Sequence, residues 1–193
     1  MWITWLVGEL EARGFEVTAP ALPRPRLPRL VQWLEVLSGA AAKLDKNTTI
    51  VAYSLGTPTA LRFLNDHPGD VKIAGLVLVA GFGDGILEKP GPLFNPPLDF
   101  DKIRSRVRNR VVIYSSNDYL ISPKRSRRLA EAIDAREVVV VGGGHFVGIK
   151  GLPGSIEQLP PVLEAVLAGY RRGIKEWIFD GWSGLRRLIM RVS

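Results

Sequence analysis

Short runs of β-branched and apolar residues recur along this chain, and segments with helical periodicity separate them. Four of these runs are TTIVAY at 48–53, IAGLVLVA at 73–80, VVIYS at 111–115 and EVVVV at 137–141. Uninterrupted apolar runs of this length are typical of strands that are buried on both faces of a parallel sheet. Since strand and helix alternate throughout, the sequence predicts an α/β fold, with a mostly parallel sheet and helices on both of its faces.

The segments between these runs complete the predicted domain. A further short strand is predicted at 15–18, and the predicted helices are residues 2–13, 30–44, 57–65, 123–133 and 155–170. The chain has 193 residues, which is enough for one domain with a full-sized core. We therefore assign residues 1–170 to a single domain and residues 171–193 to a C-terminal extension.

Composition and charge exclude several classes of protein. The chain has no cysteine, which excludes disulfide bonds and thiolate chemistry and favours a cytoplasmic location. No apolar run is long enough to span a membrane, and the N-terminal segment lacks the basic leader and cleavage site of a signal peptide. The net charge of +7 suits an anionic partner, but no nucleic-acid-binding module accompanies the basic run at 102–110. We interpret that run as a solvated loop and expect no nucleic-acid binding.

Three polar residues follow three separate predicted strands. Ser54 comes directly after TTIVAY, Asp118 follows VVIYS within a few residues, and His145 follows EVVVV and three glycines. The carboxyl ends of parallel strands meet at one edge of the sheet, where ligands and catalytic groups gather. The order Ser, Asp, His is that of the α/β-hydrolase triad, although each residue alone also has an ordinary turn or capping interpretation.

Each of these residue types has a chemical role in acyl transfer. A serine hydroxyl becomes a nucleophile when a base such as His145 takes its proton, and a carboxylate such as Asp118 orients that base. The backbone N–H of Leu55, at the start of the next helix, is placed to bind an oxyanion. No metal or cofactor is required. The other histidine, His67, precedes a proline at a predicted helix end and is interpreted as structural.

The segment VAYSLGT departs from the G-x-S-x-G pattern at one position. Ala52 stands where the first glycine is usual, which adds one methyl group to the turn. We expect the turn to tolerate that methyl.

Several longer blocks carry a resemblance to a known family. They are PALPRPRLPRLVQWLEVL, TTIVAYSLGTPTALRFL, IAGLVLVAGF, FDKIRSRVRNRVVIYSSNDYLISPKRSRRLAEAI and EVVVVGGGHF. With these blocks the chain resembles the small α/β serine hydrolases similar to retinoblastoma-binding protein nine and YdeN. The resemblance implies a carboxylesterase-like hydrolase that cleaves an ester or similar acyl bond of a small molecule, with Ser54, Asp118 and His145 as its triad. Tyr53 replaces the family's usual histidine, and we expect little catalytic consequence.

The beginning of the chain departs from that family. Its members start with a strand and a histidine-glycine loop, whereas this chain starts inside the helix that follows them. The strand would lie between residues 15–18 and 48–53, and the loop would supply the second oxyanion N–H. We therefore expect that 15–18 cannot join 48–53 in a normal sheet and that activity is impaired. A start recorded downstream of the true one, a weakened relative, or another segment filling the gap would each explain the departure.

Two further segments leave alternatives open. In residues 173–193, apolar residues recur at helical spacing beside basic ones, which indicates packing on the domain, contact with a second subunit in a homo-oligomer, or an anionic membrane surface. The loop 81–100 is expected to cover the site, where Phe82, Leu93 and Phe94 either line an acyl pocket or pack the loop. The alternative function is a non-catalytic interaction protein on a hydrolase scaffold, with the tail as its contact surface.

Overall fold

The structure, a computed structural model, describes residues 2–24, 29–40, 44–83, 96–147, 155–174 and 186–190, with the backbone alone for 171–174 and 186–190. The helices are α1 Trp2–Glu11, α2 Leu30–Ala40, α3 Gly56–Asp66, α4 Phe100–Arg106, α5 Pro123–Ala132 and α6 Pro160–Ile174. The strands are β1 Phe15–Thr18, β2 Thr48–Tyr53, β3 Ile73–Val79, β4 Val107–Ser115, β5 Arg136–Val140 and β6 Arg186–Met190. None of the described helices is long and apolar enough to cross a membrane.

All six described strands pair in parallel in one sheet. Their order is β1-β6-β2-β3-β4-β5. The register places Val51 of β2 beside Val77 of β3, and Val77 beside Val111 of β4. The predicted α/β fold with a mostly parallel sheet is confirmed, and the carboxyl ends of all these strands lie at the same edge.

Successive side chains of the strands pack alternately into two separate hydrophobic cores, one on each face of the sheet. Val51 and Tyr53 of β2 pack on one face with α1 and α6, whereas Ile50 and Ala52 pack on the other with α2, α3 and α5. A strand that is apolar at every position meets helices on both sides, because successive side chains point to opposite faces. The helices therefore hold β2 rigidly from both faces, and Ser54 directly follows it.

The basic run at 102–110 is not the solvated loop that we predicted from its alternating charges. It forms most of α4 and the start of β4. Asp99 caps α4, because its side chain accepts a hydrogen bond from the Lys102 backbone N–H at 2.9 Å. Arg106 is buried, and its guanidinium donates to the backbone carbonyls of Leu64, His67 and Gly69. A buried arginine is stable only with such partners, and they belong to the end of α3, which the local charge pattern does not reveal.

The slot between β1 and β2 is filled, so the expectation that these strands cannot be joined is wrong. Strand β6 pairs in parallel with both neighbours, with Val17 beside Leu188 on one side and Thr49 beside Leu188 on the other. No described strand precedes α1, and it is a segment of the predicted C-terminal extension that fills the gap. Residues 186–190 are therefore part of the domain's sheet.

The helical periodicity of the tail was also misleading for these five residues. An extended segment in the middle of a parallel sheet gains backbone hydrogen bonds on both of its edges. A helical tail would gain its hydrogen bonds locally, but Gly181 and Gly184 weaken that alternative. Residues 175–185 and 191–193 lie outside the described part, so the subunit and membrane contacts suggested for 173–193 stay predictions.

Candidate active site

Ser54 occupies the turn between β2 and α3. Its backbone has a φ of 50°, an uncommon value for a residue with a side chain, which costs about 1–3 kcal/mol. The turn is held by hydrogen bonds from the Ser54 N–H to the Val79 carbonyl and from the Thr57 N–H to the Ser54 carbonyl, both at 2.9 Å. Ala52 lies buried in β2 beside Leu78, so its methyl group is accommodated by the core. The sharp turn leaves the Ser54 side chain half-buried at the carboxyl edge of the sheet.

The structure brings the three sequence-predicted polar residues into one hydrogen-bonded array. Ser54 Oγ lies 2.9 Å from His145 Nε2, and His145 Nδ1 lies 2.8 Å and 3.0 Å from the two carboxylate oxygens of Asp118. His145 and Asp118 are both buried. Asp118 Oδ1 also accepts hydrogen bonds from the backbone N–H groups of Leu120 at 2.8 Å and Ile121 at 2.9 Å.

This arrangement determines which imidazole nitrogen can act as a base. A carboxylate accepts hydrogen bonds and donates none when ionised, so Asp118 favours the tautomer with its proton on Nδ1 of His145. The lone pair is then on Nε2, which faces the Ser54 hydroxyl. A positive charge that develops on the imidazole is stabilised by the carboxylate behind it.

A second set of contacts, which sequence reasoning missed, ties the Asp118 loop to the His145 loop. Asn117 Oδ1 accepts from the Gly144 N–H at 2.8 Å, and Ser116 Oγ accepts from the Gly142 N–H at 3.2 Å. Gly142 and Gly144 have φ values of 74° and 53°, which glycine adopts without strain. The polar triplet SSN before Asp118 was the available signal, because its side chains can accept hydrogen bonds from backbone N–H groups.

Tyr53 contacts the same loop from beneath. Its hydroxyl donates a 2.5 Å hydrogen bond to the backbone carbonyl of His145, and its ring lies 5.4 Å from the imidazole, centroid to centroid. Trp2 of α1 packs edge-on against the other side, at 5.6 Å. Burial, with the charge of Asp118 as a smaller contribution, raises the pKa of Tyr53 well above its usual value, so the hydroxyl stays a donor. The sequence alone does not indicate this hydrogen bond, because the partner lies 92 residues away along the chain.

The other predicted site residues are placed as follows. Leu55 is the N-cap residue of α3, and no acceptor for its N–H is found within the described part of the chain. Phe82 is fully buried, and the guanidinium of Arg125 lies 5.1 Å from its ring centroid. Leu93 and Phe94 lie outside the described residues, so the acyl pocket stays a prediction.

The remaining sequence interpretations concern His67, a metal site and the second oxyanion donor. His67 is half-buried at the C-cap of α3, where its ring packs edge-on against Phe63 at 5.6 Å. The described residues contain no group of three or more histidine, aspartate or glutamate side chains arranged to hold a metal ion. The absence of a second oxyanion donor stays a prediction, since the residues after β6 are not described.

Comparison with known proteins supplies the family. The serine hydrolase family model matches residues 1–164. YdeN of Bacillus subtilis (strain 168) is 34% identical over 171 residues, which cover 88% of this chain and 87% of YdeN. The crystal structure of the B. subtilis ydeN gene product matches with a TM-score of 0.80 and 33% identity, over 88% of this chain and 90% of that one. Serine hydrolase RBBP9 of Rattus norvegicus is 25% identical over 149 residues, which are 75% of this chain and 77% of that protein.

These likenesses agree with one another and with the fold. The family match spans every described element from α1 to the first residues of α6. The YdeN likeness covers most of both proteins in sequence and in structure, so it does not depend on one motif. The resemblance read from the sequence blocks is confirmed, and the chain belongs to the serine hydrolase family.

Proposed function

We propose that this protein hydrolyses an ester or a similar acyl bond of a small molecule, with Ser54, His145 and Asp118 as its catalytic triad. The observation that carries the proposal is the array from Ser54 Oγ through His145 to Asp118, with separations of 2.9 Å and 2.8 Å. Those separations are within direct proton-transfer reach. The strained turn of Ser54 adds support, because such strain concentrates at functional residues.

The reaction proceeds in two halves. His145 Nε2 accepts the Ser54 proton as Oγ attacks the acyl carbon, and the resulting imidazolium is stabilised by Asp118. His145 then gives that proton to the leaving oxygen, and the acyl group stays on Ser54. A water molecule, deprotonated by the same nitrogen, attacks the acyl-enzyme, and the acid product leaves with Ser54 restored.

The oxyanion of both tetrahedral intermediates binds the Leu55 N–H in this proposal. Leu55 caps the start of α3, where backbone N–H groups carry the positive end of the helix dipole. One oxyanion donor contributes roughly 3–4 kcal/mol of transition-state stabilisation. An enzyme with this donor alone is expected to be on the order of a hundredfold slower than one with two.

A fluorophosphonate probe tests the proposal, because it labels only an activated serine. The wild-type protein should be labelled, and Ser54→Ala should abolish the labelling. Ser105→Ala is the matched control and should be labelled like the wild type, since Ser105 is an exposed serine of α4 whose hydroxyl donates to the Lys102 carbonyl. Labelling that persists in Ser54→Ala would refute the assignment. No labelling of the wild-type protein would favour the non-catalytic interaction protein. The cytoplasmic location and the contacts through residues 173–193 stay predictions.

A further inference from the structure

Exposed apolar side chains concentrate on the two loops that carry Asp118 and His145. The large hydrophobic residues that are exposed in the described part of the chain are Val31, Tyr119, Leu120, Val139, Val141 and Val147. Three of them, Tyr119, Leu120 and Val147, lie within two residues of Asp118 or His145, and we call these three the apolar rim. Single exposed hydrophobic residues are ordinary, whereas a group beside a reactive centre indicates a binding surface.

The Tyr119 ring of the apolar rim has a defined position beside the imidazole. The ring of Tyr119, which is 71% exposed, lies with its centroid 6.3 Å from that of His145. Its edge borders the His145 turn, because a Cβ built on Gly144 would lie 3.6 Å from Tyr119 Cε1. The backbone N–H of Leu120 is bound by Asp118 at 2.8 Å. Only the backbone of Leu120 takes part in that hydrogen bond. It therefore does not explain why the side chain at position 120 is apolar.

The proposed reaction determines which part of the substrate contacts the apolar rim. His145 Nε2 takes the proton from Ser54 and must then deliver it to the leaving oxygen, so the leaving group lies on the imidazole side of Ser54. The Tyr119 ring, 6.3 Å from that imidazole, is close enough to contact a group held there. The sole charged residue of segments 116–122 and 142–147 is Asp118, whose carboxylate is already paired with His145. The rim therefore offers apolar surface and no free charge to a leaving group.

We propose that Tyr119, Leu120 and Val147 bind the alcohol portion of the substrate, and that the enzyme prefers esters of apolar alcohols. This inference rests on the proposed function. A methylene buried completely is worth about 0.8 kcal/mol, or nearly fourfold in a rate constant, and one half-covered by an open rim about twofold. The second-order rate constant kcat/KM should therefore rise about twofold per methylene of the alcohol.

Two matched ester series test this inference. One series is the acetate esters of ethanol through hexanol, and the other is the ethyl esters of acetic through hexanoic acid. In the double variant Tyr119→Ala/Leu120→Ala, the rise of kcat/KM along the alcohol series should become nearly flat, while the trend along the acyl series stays as in the wild type. Val31→Ala, another exposed apolar residue but on α2, should change neither trend. Val147→Thr keeps the side-chain shape but replaces one methyl group by a hydroxyl, and it should lower the alcohol trend in part.

The outcomes separate this inference from the proposed function. An alcohol trend that the double variant leaves intact would overturn the inference, and so would an equal loss of both trends. A wild-type protein that fluorophosphonate labels at Ser54, but that shows no preference along the alcohol series, would overturn this inference alone. Failure of the labelling itself would remove the proposed function, and the inference with it. Since Tyr119 and Leu120 are exposed, the double variant should keep the wild-type Tm, which thermal unfolding checks.

Discussion

Replacing Tyr53 by phenylalanine removes one hydroxyl group from the centre of the molecule and leaves its ring in place. The ring is 4% exposed, and it packs between Trp2 and His145, so the substitution creates no large cavity. What is lost is the 2.5 Å hydrogen bond to the backbone carbonyl of His145. The carbonyl then lacks that donor, which costs about 1–3 kcal/mol in the free energy of unfolding. For a chain of this size that lowers Tm by about 2–4 °C per kcal/mol.

The same hydrogen bond fixes the height of His145 above the sheet. Since His145 Nε2 and Ser54 Oγ are 2.9 Å apart, a small shift of the backbone lengthens the contact through which the proton moves. A displacement on the order of 1 Å can cost about a hundredfold in rate. We expect kcat of Tyr53→Phe to fall roughly ten- to a hundredfold. KM should change little, because Tyr53 is buried beneath the imidazole and positions it without touching the substrate.

Tyr170→Phe is the matched control for a merely structural effect. The Tyr170 hydroxyl also donates a 2.5 Å hydrogen bond to a backbone carbonyl, that of Asn47, which precedes β2 at the opposite edge of the sheet from Ser54. Its loss should lower Tm by less, because Tyr170 and Asn47 are only half-buried, and should leave kcat unchanged. Ester hydrolysis and thermal unfolding, measured on both variants, decide the matter. If Tyr53→Phe lowers Tm but keeps the wild-type kcat, the positioning role is refuted.

The pH dependence of stability gives an independent readout of the Tyr53 hydroxyl. Burial raises its pKa in the folded state above the ordinary value of 10.0, and the charge of Asp118 adds to that effect. A raised folded-state pKa means that the stabilising contribution is complete below pH 10 and is lost as the pH rises above it. The Tm difference between wild type and Tyr53→Phe should therefore shrink above pH 10. Tyr114, whose pKa is also raised by burial, is present in both proteins and cancels in the comparison.

Three other substitutions test neighbouring parts of the site and of the sheet. Asp118→Asn keeps an acceptor for the Leu120 and Ile121 N–H groups but removes the negative charge behind His145, so kcat should fall by about 10³–10⁴ with little change in KM. Asn117→Ala frees the Gly144 N–H, and a loss of about two- to tenfold in kcat, the worth of one ordinary hydrogen bond, is expected in steady-state assays. Leu188→Pro removes a backbone N–H from the middle of β6, whereas the control Leu188→Val keeps that N–H. The proline variant should therefore have a Tm well below that of the valine variant. Equal Tm values would show that β6 is not in the sheet.

The strands, and the proximity of Ser54, Asp118 and His145, could be predicted from the sequence for a simple physical reason. A strand buried on both faces must be apolar at nearly every position, so TTIVAY predicted β2 with its observed bounds, Thr48–Tyr53. The carboxyl ends of parallel strands share one edge, so Ser54, Asp118 and His145 were expected together before any distance was known. Both inferences use local pattern and topology alone.

What the sequence did not reveal depends on partners that are distant along the chain. Arg106 is buried because carbonyl groups at the end of α3, about forty residues away, accept its hydrogen bonds. The Tyr53 hydroxyl is held by a carbonyl in the His145 loop, 92 residues away along the chain. Neither the alternating charges at 102–110 nor the tyrosine at position 53 indicates which group accepts the hydrogen bond, since any backbone carbonyl can be the acceptor.

Strand β6 also depends on partners that are distant along the chain, since it pairs with β1 and β2. Its position affects the candidate site. The segment RRLIM is compatible with a helix or a strand, and the open slot between β1 and β2 decides for the strand by pairing both of its edges. Because β6 runs parallel to β2, with Met190 beside Val51, it ends at the edge of the sheet where Ser54 lies. A strand that fixes β2 on one side also fixes the turn that follows β2. A Leu188→Pro protein that still folds should therefore lose kcat as well as Tm, because the Ser54 turn depends on a β2 that is paired on both edges.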